Sequence, residues 1–273
     1  MKWIKIISVV LLFASFFGCV EDTVIYYDRT PPGTPNNIRT HTGDSQVEIR
    51  WDPVYNSDLA GYAVYWSDTY NGKYSLIGTT KNTFLMDYGA SNGITTYYAV
   101  ASYDYDGNES ELSYDVAYDT PRPEGFGNRI YDFWYYPEIS AYNFAAYQVT
   151  AYNSDYADFF FENDDGIFYL NVWEDTDIQD MGWTYDIYDI SEAPVDGWID
   201  LMPGANVKYV QAYVGHTYVI WTWDNHFAKI RIRNISNDRM TFDWAYQVAE
   251  GNAELKINRN SETRTKRPDK VLK

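Results

Sequence analysis

The chain has 273 residues and a formal net charge of −18, because 39 acidic residues outweigh 21 basic ones. A field of that sign repels phosphates, so a nucleic-acid partner is excluded. The single cysteine, Cys19, also excludes an internal disulfide framework. The 28 Tyr, 13 Phe and 10 Trp favour strands over helices, and no long amphipathic helical period follows Cys19. These features predict an all-β protein with two domains.

The first residues, MKWIKIISVVLLFASFFGC, are typical of a secretion signal. Two lysines precede an apolar stretch at 6–17 that is too short to span a bilayer as a helix. The stretch ends at Cys19 and resembles the signal peptide and lipobox of bacterial lipoproteins, although Phe16 stands where leucine is usual. The resemblance implies a signal peptide at 1–18, a lipid on Cys19 that reaches the membrane, and a tether at 19–30. It places the protein in the bacterial cell envelope as an outer-membrane lipoprotein, on its periplasmic or its outer side. An ordinary cleaved signal with a chance cysteine is the alternative.

Short strands and turns then follow one another from residue 31 to residue 122. Val47, Ile49 and Trp51 alternate with polar residues, which is the period of a strand. Further strand patterns contain the motifs Gly61-Tyr62, Val64-Tyr65 and Tyr98-x-Val100. The series resembles the fibronectin type III domain, which implies a β-sandwich at 31–122. Such modules usually act as spacers or as protein-binding surfaces.

One motif in this region is typical of catalysis but lacks the required context. Gly89-x-Ser91-x-Gly93 matches a nucleophile elbow, which needs a strand before it and a helix after it. Here a strand follows, and no histidine lies at a plausible partner position. We predict no catalytic residue in the chain.

A second, aromatic-rich antiparallel β domain is predicted at 123–258, after the linker DTPRPEGFG. Its pieces ADFFFE and GIFYLNV are joined by NDDG and read as a hairpin. The remainder, 259–273, carries six basic and two acidic residues and almost no apolar ones. That composition predicts a disordered basic tail.

The segment GHTYVIWTWDNHFAKIRI predicts another hairpin in this domain. Asp224-Asn225 suits a two-residue turn, which pairs residue 221 with 228 and residue 219 with 230. One face then collects Val219, Trp221, Ala228, Ile230 and Ile232, with Trp223 at the turn end, and we expect it to be a core face. The other face carries Tyr218 opposite Arg231 and Ile220 opposite Lys229.

Two histidines of this hairpin raise the question of a metal or haem site. In the predicted register His216 and His226 are about 23 Å apart, whereas zinc ligands converge within a few ångströms. The segment is similar to the C-terminal part of uncharacterised bacterial lipoproteins and, more distantly, to a family of haem-scavenging surface lipoproteins. That family holds iron with two histidines, and neither matches by motif here. We therefore predict no metal and no cofactor, with haem bound by one histidine and Met181 or Met240 left open.

The candidate ligand-binding residues lie in the irregular stretch EDTDIQDMGWTYDIYDISEAPVDGW and at the residue directly before it. Flat indole rings stack on sugar faces, so Trp173, Trp183 and Trp198 are predicted to bind a glycan; the alternative is that they fill the core. The carboxylates of residues 175–180 are a candidate calcium site.

Together these features predict a non-catalytic, lipid-anchored envelope protein that acts as a binding or scaffold module for a glycan or a protein partner. A small glycan hydrolase is the alternative, and a haem- or metal-binding surface lipoprotein is a further one.

Overall fold

The computed structural model describes residues 28–256, 262–263 and 268–271. The predicted signal peptide and Cys19, the predicted site of lipidation, lie outside the described residues. The described chain forms β-strands with two short 3-10 helices, Pro137–Ile139 and Ile187–Asp189, which confirms the all-β class. None of its helices has the length and apolar character needed to cross a bilayer.

The first part of the chain folds into a sandwich of three strands against four. Its strands are β1 (Arg39–Thr42), β2 (Val47–Arg50), β3 (Leu59–Ser67), β4 (Lys73–Thr80), β5 (Phe84–Asp87), β6 (Thr96–Asp104) and β7 (Asp115–Asp119). One sheet has the order β1-β2-β5 and the other contains β7-β6-β3-β4. This strand arrangement is the one expected of a fibronectin type III domain, and that expectation is confirmed.

The core of this sandwich follows from alternation within its strands. Val47 and Ile49 are fully buried, and Trp51 packs edge-on against Tyr62 at 5.3 Å between ring centroids. On β6, Tyr98 lies in the same cluster and donates a hydrogen bond to Asp87 at 3.0 Å. Period-two alternation therefore predicts this core correctly.

The second part of the chain forms another sandwich, of two five-stranded sheets. Its strands are β8 (Glu124–Tyr131), β9 (Ala141–Asn143), β10 (Gln148–Thr150), β11 (Phe159–Asp164), β12 (Ile167–Trp173), β13 (Asp177–Trp183), β14 (Val207–Gln211), β15 (His216–Trp221), β16 (Phe227–Ser236) and β17 (Arg239–Gln247). The strand orders are β10-β9-β11-β12-β14 and β13-β15-β16-β17-β8. All pairings within these two sheets are antiparallel.

Aromatic side chains fill the space between these two sheets. The Tyr142 ring contacts Phe144, Phe242 and Trp244, and Phe144 stacks on Tyr246 at 5.7 Å. Large rings bury much apolar area at a small cost in side-chain entropy, so they suit a core between two flat sheets. The high aromatic content of the chain therefore serves this core in part.

The hairpin formed by β15 and β16 has a different register from the predicted one. Trp221 pairs with Phe227 and Ile220 pairs with Ala228. The N–H of Thr222 then bonds the His226 carbonyl oxygen, so the loop has three residues, 223–225, and not two. Asn225 has φ of 65°, as the last residue of such a loop requires. The prediction of a two-residue turn at Asp224-Asn225 was wrong.

This one-residue change moves the side chains of β15 to the opposite faces. Tyr218 and Ile220 lie in the main core, where they join Ala228, Ile230 and Ile232 of β16. For Val219 the predicted burial was right and the predicted face wrong, whereas for Trp221 and Trp223 the prediction of burial itself was wrong. Val219 belongs to a smaller cluster on the other face, while Trp221 and Trp223 are 36% and 50% exposed.

The two sandwiches meet at residues 120–123, where buried polar contacts join them. Arg122 is fully buried, forms an ion pair with Glu124 at 3.0 Å, and donates through Nε to the Leu255 carbonyl oxygen. The backbone N–H of Arg122 also bonds the carbonyl oxygen of Gly43 in the first sandwich, and the N–H of Gly93 bonds that of Pro121. The guanidinium thus fixes the linker on the second sandwich, two backbone bonds fix it on the first, and Lys256 of the second half donates to the Thr42 carbonyl oxygen of the first at 3.4 Å.

The described parts of the basic tail form strand pairs on the first sandwich. Residues 262–263 (β18) pair with β7, and residues 269–270 (β19) pair with β4. Lys270 forms an ion pair with Glu109 at 2.6 Å. The prediction of disorder was wrong for these segments, because strand edges of the sandwich supply backbone partners that composition does not reveal.

Candidate functional site

The three tryptophans predicted from the sequence do not lie on one surface. Trp173 ends β12, where it is half-buried against Phe160. Trp183 ends β13 and is 67% exposed. Trp198 lies in the loop after β13 and is half-buried against Trp221, at 6.0 Å between ring centroids.

Trp173 lines a groove with two tryptophans of the β15–β16 hairpin. One cavity of about 460 Å³ lies between Trp173 and Trp223, and an adjoining one of about 320 Å³ lies beside Trp221 and Trp223. Trp223 and Asp175 line both cavities, so the two cavities share part of their wall. We call the pair the tryptophan groove. Its residues are Asn153, Ser154, Asp155, Ala157, Trp173, Glu174, Asp175, Asp177, Asn206, Trp221, Thr222, Trp223 and Asn225.

Hydrogen bonds hold two of the three indoles in place. The Nε1 of Trp173 donates to the Tyr152 carbonyl oxygen at 3.2 Å, and the Nε1 of Trp221 donates to Oδ1 of Asn225 at 3.1 Å. The Trp221 ring also stacks on Phe227 at 5.4 Å. These rings keep one face towards the groove without a further loss of side-chain freedom on binding.

Carboxylates and amides surround the indoles. Asp155, Glu174 and Asp175 are exposed, while Asp177 forms an ion pair with Lys208 at 2.7 Å. Among the described residues, none that lines the groove is Lys, Arg or His. The groove therefore presents hydrogen-bond acceptors and negative charge, and repels an anionic ligand.

A buried carboxyl group lies directly behind the groove. Asp158 follows Ala157 of the lining and accepts a hydrogen bond from the backbone N–H of Phe144 at 2.7 Å. Burial raises the pKa of Asp158 to about 7, and the charge of Asp224 in the hairpin loop raises it further. Asp158 therefore helps to hold the segment that lines the groove and is not itself a lining residue.

The two histidines of the hairpin do not meet. His216 Nδ1 lies 2.9 Å from Oδ2 of Asp180, and His226 Nδ1 lies 3.1 Å from the Gln247 carbonyl oxygen. The five residue steps from His216 to the end of β15 alone span about 17 Å. In the described part of the chain, no group of three or more His, Cys, Asp or Glu side chains is arranged to hold a metal ion. The acidic run at 175–180 is divided in the same way, since Asp177 pairs with Lys208 and Asp180 with His216.

Sequence reasoning missed Trp221 and Trp223 as groove residues, because the assumed register placed them in a core. One signal was present. Asn225 suits a left-handed position at the end of a three-residue loop as well as it suits a two-residue turn, and only the longer loop turns Trp221 outward.

The first sandwich thus defines a protein with a fibronectin type III-like module, followed by a second β-sandwich that carries the tryptophan groove. No family model matches the chain. The amylopullulanase of Thermoanaerobacterium saccharolyticum is 34% identical over 93 residues, which are 33% of this chain and 7% of that protein. The amylopullulanase of Thermoanaerobacterium thermosulfurigenes is 35% identical over 94 residues, 33% of this chain and 5% of that protein. The chain thus spans less than a tenth of the length of these relatives.

Among solved structures, an Fn3-like protein from Clostridium thermocellum is 22% identical, with a TM-score of 0.29, and covers 35% of this chain and 100% of its own. A β-1,2-glucanase from Parabacteroides distasonis is 23% identical over 34% of this chain and 14% of its own, also with a TM-score of 0.29.

Proposed function

We propose that the protein is a non-catalytic, lipid-anchored component of the bacterial cell envelope that binds a glycan in the tryptophan groove. The observation that carries this proposal is the groove itself, in which three indoles line two adjoining cavities together with carboxylates and amides. The carbon–hydrogen faces of a sugar ring are apolar and pack on indoles, while its hydroxyl groups donate to carboxylate and amide oxygens. A neutral glycan meets both requirements.

The similarity to segments of amylopullulanases supports a glycan ligand. About one third of this chain is similar to a segment of amylopullulanases, enzymes named after glycans. An accessory module of such an enzyme and a separate envelope protein can use the same spacer domain. In this chain the spacer would hold the groove away from the membrane, with lipid on Cys19 as the anchor.

Binding is tested with the full chain in detergent micelles and a panel of neutral polysaccharides, namely amylose, pullulan, cellulose and xylan. Trp173→Ala and Trp223→Ala should each abolish or strongly weaken binding, measured by calorimetry or by retardation in a polysaccharide gel. Trp183→Ala is the matched control, because its side chain is exposed but does not line the groove.

Absence of binding to every member of the panel would contradict the proposal. Loss of binding in the Trp183 variant alone would contradict the groove and would leave Trp183 as the one supported residue of those predicted from the sequence. Release of reducing ends from a bound polysaccharide would favour the glycan hydrolase instead, and changing Asp155, Glu174 or Asp175 would then identify its carboxylates.

The anchor is tested separately, by growing cells with a radiolabelled fatty acid. The wild-type chain should carry the label into the outer-membrane fraction, and Cys19→Ala should not. An unlabelled wild-type chain would contradict lipidation of Cys19 but would not contradict glycan binding in the groove.

A further inference from the structure

The outer face of the sheet β10-β9-β11-β12-β14 carries a second set of aromatic and polar side chains. Along β12, Leu170 and Val172 point into the core, so Tyr169, Asn171 and Trp173 point to the outer face. Residues directly opposite in a sheet share a face. Glu162 pairs with Tyr169, which places this carboxylate on the outer face as well.

An aromatic loop after β8 folds over this face. Phe133 contacts Phe160 of β11 at 5.4 Å and the neighbouring Trp134 at 4.5 Å, both between ring centroids. The Nε1 of Trp134 donates to Oε1 of Glu162 at 3.2 Å, while Nδ2 of Asn171 donates to Oε2 of the same carboxylate at 3.1 Å. One carboxylate thus fixes the orientation of both an indole and an amide.

Trp134 remains open to solvent although it is held in this way. Its side chain is 65% exposed. An indole that is exposed and hydrogen-bonded through its nitrogen has a fixed, uncovered ring face, which is the arrangement that binds a flat ligand at low entropic cost.

The outer face lies beside the tryptophan groove, and the two are joined beneath the surface by Phe160, which is 4% exposed. Phe160 contacts Phe133 at 5.4 Å on one side and Trp173 of the groove at 5.7 Å on the other. Along β12, the four residue steps from Tyr169, opposite Glu162, to Trp173 span about 13 Å. That length exceeds one sugar ring.

We propose that the tryptophan groove and the outer sheet face together bind a linear, uncharged polysaccharide along several consecutive sugar units, with Trp134 as the stacking platform at the far end. The proposal rests on the proposed glycan binding and adds the class of ligand, an extended chain. The acidic groove disfavours anionic polysaccharides, and Glu162 and Asn171 supply polar groups beside the platform.

The experiment uses the full chain and fragments of amylose, pullulan, cellulose and xylan, each fractionated by length from two to eight sugar units. For the fragments that bind, affinity should rise by about tenfold or more over this range, the equivalent of one further stacked sugar worth about 1.4 kcal/mol. Trp134→Ala should remove this gain and leave binding of the shortest fragments unchanged. Glu162→Gln should remove part of it, because the indole loses its charged acceptor.

Tyr135→Ala is the matched control, since this neighbouring aromatic side chain is 79% exposed. Near-ultraviolet circular dichroism establishes that each variant is folded. An affinity that does not depend on fragment length would contradict the extended binding surface but not glycan binding in the groove. A Trp134 variant that keeps the full gain in affinity with length would contradict it in the same way. If no fragment or polymer binds, both proposals fail.

Discussion

Asn225 joins the conformation of the hairpin loop to the geometry of the groove, and two substitutions separate these roles. Its φ of 65° is unfavourable by about 1–2 kcal/mol for most side chains, but less so for Asn and not for Gly. Asn225→Ala should therefore lower the free energy of unfolding by about 1 kcal/mol relative to Asn225→Gly. For a chain of this size, that difference lowers the midpoint of thermal unfolding by about 2–4 °C.

The side-chain amide of Asn225 affects binding more than stability. Its Oδ1 accepts from Trp221 Nε1 at 3.1 Å, and its Nδ2 donates to Glu250 at 3.3 Å. Both bonds are exposed, so water replaces them, and their loss costs at most about 1 kcal/mol of stability. Asn225→Gly should keep near wild-type stability but weaken glycan binding several-fold, because the Trp221 indole is free to turn.

Urea unfolding followed by circular dichroism measures the stability of the two variants, and calorimetry with a bound polysaccharide measures affinity. Equal stability of the Ala and Gly variants would refute the strain argument and, with it, the three-residue loop. Unchanged affinity of the Gly variant would refute the role of the amide in positioning Trp221.

Three further predictions concern stability. Burial raises the pKa of Asp158 to about 7, so between about pH 4 and pH 7 the folded state binds a proton that the unfolded state has lost. The stability that this proton contributes is full below about pH 4 and is lost as the pH rises through 7. The loss amounts to at most about 1.4 kcal/mol per pH unit. Asp158→Asn should be more stable than wild type at pH 8 and should reduce the fall of the urea midpoint between pH 5 and pH 8, to which Glu254 and Asp119, with pKa values raised by burial to about 7 and about 6, also contribute; the exposed Asp164→Asn is the control. Gly125→Ala should cost about 1–3 kcal/mol, because the new methyl group meets the Trp244 indole directly; near-wild-type thermal stability would show that the sheet yields more easily than expected. Arg122→Met should cost about 1.5–3 kcal/mol, because the Glu124 carboxylate, with 14% of its side chain exposed, loses its charged partner but keeps the Tyr188 hydroxyl; an unchanged urea midpoint would contradict this.

The alternation of apolar and polar residues predicted correctly which face is buried where a single strand decides it. Val47, Ile49 and Trp51 alternate with polar residues, so only one face can be buried, and the sequence identifies it. The strand TYVIW at 217–221 is apolar on both faces. Its alternation could not choose between the two faces, and the choice rested on a loop length that differs by a single residue.

The groove was beyond sequence reasoning for a different reason. It is assembled from four separate stretches: 153–157, 173–177, residue 206 and 221–225. Their proximity depends on the pairing of β12 with β14 and on the packing of one sheet over the other, which are long-range contacts. Among the groove residues, Trp173 was predicted as a glycan ligand on its chemistry alone, and Asp175 and Asp177 only as part of a candidate calcium site.

The buried junction at residues 120–123 has a mechanical consequence. In a chain held at Cys19 and attached through the groove to a long polymer, shear between the cell and the polymer would be transmitted across this junction. The Arg122–Glu124 ion pair and the backbone bonds from Gly43 and Gly93 would carry that load. Because these bonds restrict rotation of the linker against both sandwiches, the groove would keep its orientation under flow better than it would behind an exposed flexible linker.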